Sequence, residues 1–137
     1  MGRVFAYDLA AVNPDTGSTL CKSRLAHIFG RTNAKDYYSW GKPVRSPVPG
    51  VVIGASDDVP DREALGLVLD LVRMFTSRPE LAPDDIRPFA GNHIIIEADG
   101  FNVFVAHHRS GSVRVEVGDK VNAGQALGKV GNIVCFN

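Results

Sequence analysis

The stretch that most restricts how this chain can fold is residues 113–131, VRVEVGDKVNAGQALGKVG. Apolar and polar residues alternate there, and the period of two is that of a half-buried strand. The pattern turns at Gly118-Asp119, alternates again, turns at Ala123-Gly124 and enters a third short strand. Residues 41–54, GKPVRSPVPGVVIG, read as a similar strand pair punctuated by glycine and proline. Two such units in 137 residues predict a small, mainly β, sandwich-like domain built from related hairpins. A scaffold does not define a function, so the polar residues that decorate it carry the rest of the reading.

Length predicts one domain, 1–137, large enough to bury a core without disulfide or metal staples. Fifteen Lys and Arg balance fifteen Asp and Glu, which leaves no basic footprint for nucleic acid. No apolar run reaches the ~18 residues of a membrane span. Residues 1–10 lack the apolar core of a signal peptide. Cys21 and Cys135 have neither CxxC nor zinc-knuckle spacing; they read as a reduced pair, or as a disulfide if the termini meet.

Residues 4–12 read as a strand, with Phe5, Tyr7 and Leu9 on one face and Ala6, Asp8 and Ala10 on the other. Asn13-Pro14-Asp15-Thr16-Gly17 is a loop signal. Residues 18–35 are mixed, with a strand or short helix around 20–29. Tyr37, Tyr38 and Trp40 read as apolar payload buried under a small sheet rather than a ligand groove. The β pattern breaks at 57–77. Pro60 suits a first helical position, and Asp57, Asp58 and Asp61 favour a helix N-terminus. Glu63, Gly66, Asp70, Arg73 and Ser77 leave one narrow polar stripe. The expectation is one inserted helix near residues 60–76, within an insertion spanning 57–90, packed on the domain or on a second subunit. Residues 92–97 and 101–106 form a hairpin about Asp99-Gly100 that delivers His107 and His108. As neighbours in a strand the two should face opposite sides, unless the strand has already broken there.

Asp8, His27, His93, His107 and His108 are the candidate metal or acid/base groups. Their spacing alone favours bland roles: a solvated carboxylate, a sheet histidine, a loop histidine. The sequence has no HExxH or H-x-H, no GxSxG, no GxxxxGK[ST] and no GxGxxG.

Taken in order, FAYDLAAV, YYSWGKPVRSPVPGVVIGASDDVPD and GNHIIIEADGFNVFVAHHRSGSVRVEVGDKVNAGQALGKVGN resemble the lysostaphin/LytM-type zinc metallopeptidases. The resemblance covers residues 3–132, with 61–88 as an enlarged insertion. Its blocks are GKPV-x-(S/A)-P-x-x-G-x-V, GN-x-(V/I)-x-I, (Y/V)AH and VGDKV-x-AGQ-x-(L/I)G. It implies a barrel-sandwich hybrid fold (a duplicated hybrid motif) and endopeptidase chemistry on bacterial cell-wall peptides, in the cell envelope or outside the cell. It also implies zinc, with Asp8 as a ligand and His107 as the histidine that assists the metal-bound water and the oxyanion. His108 stands where the family has leucine and inherits no role.

Two further ligands of the family are not matched. Val4 stands at the place of the upstream histidine, and residues 133–137 do not supply the H-x-H step that follows the matched Gly131-Asn132. The expectation is a metallopeptidase-related domain, incomplete at both ends and inactive alone, with unpaired edges that favour a homodimer or strand exchange. Two alternatives stand beside it: a non-catalytic module that binds peptidoglycan or a protein, and a biotinyl/lipoyl-type carrier. The carrier needs a lysine at a hairpin tip between methionines, and Lys120 and Lys129 have no such neighbours.

Overall fold

A computed structural model describes residues 9, 11–19, 33–61 and 90–131. Among the described residues there are six strands: β1 (Pro43–Arg45), β2 (Gly50–Ser56), β3 (Asn92–Ala98), β4 (Phe101–His108), β5 (Lys120–Val121) and β6 (Ala126–Lys129). They form two antiparallel sheets, one of β1 and β6, the other in the order β4-β3-β2-β5. The mainly β expectation holds. The inserted helix near 60–76, most of the 57–90 insertion, both cysteines and His27 lie outside the described residues.

The two sequence units are not hairpins. β1 pairs with β6 and β2 with β3 and β5, so each unit sends one strand to each sheet. Pro47 and Pro49 explain this for the first unit: neither has an N–H, so no ladder runs through 46–49. The chain bends there instead, with the Ser46 hydroxyl donating to the Val48 carbonyl at 2.6 Å. In the second unit, residues 113–116 join no named strand, although Arg114 N–H donates to the Leu127 carbonyl at 2.9 Å. The first turn sits one residue earlier than the sequence suggests, with Asp119 N–H donating to Glu116 and the Asp119 carboxylate accepting from Glu116 N–H. The two crossings lock together: Ser46 N–H donates to Gln125 (2.9 Å) and Gly124 N–H to Ser46 (2.7 Å).

Alternation still decides what is inside. Val52, Ile94, Ile96, Val115, Val121 and Leu127 are buried as one core, with Val48, Val103, Val105 and Val113 packed against it. Burying each such side chain contributes roughly 1.5–3 kcal/mol. A smaller cluster, separate from this core, joins Ala34 and Tyr37 to Trp40. Tyr38 is half-buried with the Lys42 ammonium 4.0 Å from its ring centre, so only part of the aromatic run packs, and not as expected under the sheet. The Asn13–Gly17 loop is a turn closed by Gly17 N–H to Asn13 and braced by the Asn13 side chain on Asp15 N–H. The strand expected over 4–12 fails where it is described. Leu9, Ala11 and Val12 lie in no strand, and Leu9 is 91% exposed, because nothing in the described core reaches it.

Candidate functional site

The site begins with an irregularity in the β3–β4 ladder. Asn92 pairs with His108 and Ile94 with Val105, so His93 alone opposes both Ala106 and His107. That extra residue is a bulge, and the backbone at His107 takes φ 61, a left-handed conformation uncommon outside glycine. The bulge therefore breaks the regular ladder at the histidine pair although β4 runs on to His108, and simple alternation no longer assigns their faces.

Three nearby segments fix this break. The Asn92 side chain accepts from Val59 N–H and donates to the Val59 carbonyl, both at 2.8 Å, and also reaches the His108 carbonyl at 3.3 Å. Asp57 accepts from Gly111 N–H (3.0 Å) and Val113 N–H (3.2 Å), while Asp61 accepts from Ser110 N–H (3.2 Å) and lies 3.9 Å from Arg109. β6 closes the other side: Gly131 N–H donates to the His107 carbonyl and Arg109 N–H to the Lys129 carbonyl, both at 2.8 Å, and His108 bridges to Val130. The last residues of β4 thus join the two sheets. This contact needs glycine at 131, where a Cβ would stand 2.5 Å from Arg109 backbone atoms.

His93 is buried; its Nδ1 lies 2.9 Å from the Gly91 carbonyl, which can only accept, so Nδ1 carries the hydrogen. Its ring tilts against Phe104 at 5.1 Å. His107 is half-buried. His108 is 2% exposed, and neither ring nitrogen has a hydrogen-bond partner among the described residues. Burial pulls its imidazole down from 6.5 to about 4; Asp57 opposes the shift, while His93 and His107 add to it.

Of the residues the sequence singled out, the structure brings His93, His107 and His108 to one bulge. Asp8 and His27 lie outside the described residues. Sequence reasoning missed Asp57 and Asn92. Asp57 was legible only as an acidic residue near a helix start, and Asn92 only as the first residue of a strand. Among the described residues no group of three or more His, Cys, Asp or Glu could hold a metal ion. The described residues therefore do not by themselves fit a zinc centre, and no step is drawn through one. No family model, curated protein or solved structure matches this chain.

Proposed function

We propose that the chain is a zinc-metalloendopeptidase-related domain of the lysostaphin/LytM type, with a barrel-sandwich hybrid fold. In this reading cell-wall peptide is its ligand, Asp8 its metal-ligating residue and His107 the histidine beside the reacting carbonyl. One observation carries the reading: the Val105-Ala106-His107 step ends in a bulge that takes His107 out of strand alternation, beside His93, His108 and Asp57. A left-handed non-glycine residue costs energy and persists where surrounding contacts enforce it, most often at functional sites. The interlocked crossings at Ser46 and Gly124 also suit a duplicated motif. With Val4 at the upstream ligand position, the chain by itself does not hydrolyse peptide bonds.

The test is zinc content together with cleavage of oligoglycine and wall peptides. The reading expects far less than one zinc per chain, lowered further by Asp8→Ala, and no cleavage. Stoichiometric zinc with cleavage lost in His107→Ala would overturn the inactive half of the reading. Zinc unaffected by Asp8→Ala would overturn the ligand assignment. A binding module is the second reading, favoured by the exposed Phe104 and Ile53 of the four-stranded sheet (43% and 42%). Carrier function gains no such support. Lys120 pairs with Val51 in β5 and Lys129 with Pro43 in β6, so neither stands at a hairpin tip.

A further inference from the structure

We propose that His108 is an acid-sensitive pin between the two sheets: when its ring takes up a proton, the end of β4 separates from β6 and frees the segment that carries His107. The inference is independent of any peptidase role, since it needs neither metal nor substrate.

Among the described residues no acceptor receives a hydrogen bond from the ring, so charge placed on it there is poorly compensated. It is buried against β6, where a Cβ built on Gly128 would come within 2.7 Å of Nδ1 and 3.1 Å of the Ser112 carbonyl. A neutral imidazole has one donor and one acceptor, and both are without partners among the described residues. A proton makes both nitrogens donors and adds a charge, in a place that water does not reach. The groups that act on the ring are Asp57 from the segment after β2, His93 from β3 and His107 from β4. Asp57 is the one that favours the cation. It is not hydrogen-bonded to the ring among the described residues, and both its oxygens already accept from Gly111 and Val113.

Relief therefore requires exposing the ring, and the contacts that must part are few. They are the His108–Val130 bridge, the bonds from Gly131 N–H to His107 and from Arg109 N–H to Lys129, and the Ser112 hydroxyl's bonds with Lys129; freeing His107 also parts His108 from Asn92. The β2–β3 ladder, with Ile94 and Ile96 in the core, does not depend on them.

The sign follows from the shift. The folded ring holds its proton less tightly than an exposed one, so the contribution is fully present above pH 6.5. It is lost as pH falls from 6.5 towards 4. Between pH 7 and pH 4 the closed-to-open ratio should fall about 120-fold, or ~3 kcal/mol at 1.36 kcal/mol per tenfold step.

The experiment is native-state amide exchange by NMR, corrected for intrinsic rates, on wild type, His108→Leu and His108→Gln. Wild-type protection at Arg109 and Gly131 should drop about 100-fold more than at Ile94 and Ile96 over this range. In both variants this differential loss should vanish; Gln keeps the test alive if Leu does not fold. An equal loss in the variants overturns the proposal. So does a wild-type His108 ring that titrates near 6.5 when followed directly.

Discussion

The β3–β4 hairpin has two ends made from the same alternating strands, and they differ in almost every physical respect. At the Asp99-Gly100 end the chain reverses in an exposed turn, and Phe101 beside it is 54% exposed. At the other end the ladder is bulged and His108 is buried. Asp57, Asp61, Asn92 and Gly131 all converge on the short segment from His107 to Val113. The first end is held by local turn chemistry and the second largely by partners distant in sequence. An end so heavily constrained, carrying a left-handed histidine and a buried one whose ring has no hydrogen-bond partner among the described residues, is where a site is expected; the tip is a connection.

Substitutions can break this contrast. Gly131→Ala should have the largest effect, about 3 kcal/mol or loss of folding, because the new Cβ meets Arg109 backbone that cannot move aside. Thermal or urea unfolding measures it. Asn92→Ala should cost about 2–3 kcal/mol, since the Val59 N–H and carbonyl and the His108 carbonyl all lose a partner. The same melts would show this, and a loss below about 1 kcal/mol would mean water replaces the amide.

Asp57→Asn should cost about 1 kcal/mol, because the amide keeps one acceptor for the 111–113 backbone but not two. It also removes the charge that favours protonated His108, so the His108 titration should move further down. A rise would contradict the stabilising action of Asp57 on the imidazolium. Asp99→Ala at the tip should stay within about 0.5 kcal/mol, as surface changes away from special features do. If the tip proved as costly as Asn92, the contrast between the two ends would collapse.

What the sequence made legible follows the range of the interactions involved. The alternation in 92–97 and 101–106 and the Asp99-Gly100 turn are local, and they define β3, β4 and their pairing. The division of strands between sheets was hidden, because Val44 meets Gly128 and Gly50 meets Val121 across long separations. Pro47 and Pro49 were the clue that 41–54 could not close on itself. His107 and His108 were correctly picked out as a pair delivered by one strand. Their bulge was not legible, since no glycine or proline marks it. Asp57 was read by its nearest neighbours, whereas its partners are Gly111 and Val113.

The peptidase-related account rests on Asp8 approaching His107, and thiol cross-linking asks this directly. With Cys21→Ser and Cys135→Ser as background, Asp8→Cys is combined with His107→Cys, or with Phe101→Cys about 20 Å away along β4 at ~3.3 Å per residue. The account predicts that a short bifunctional thiol reagent links the 8/107 pair within one chain under native conditions, and neither links the 8/101 pair nor works in urea. No link at 107, or a link at 101 of equal yield, would contradict it.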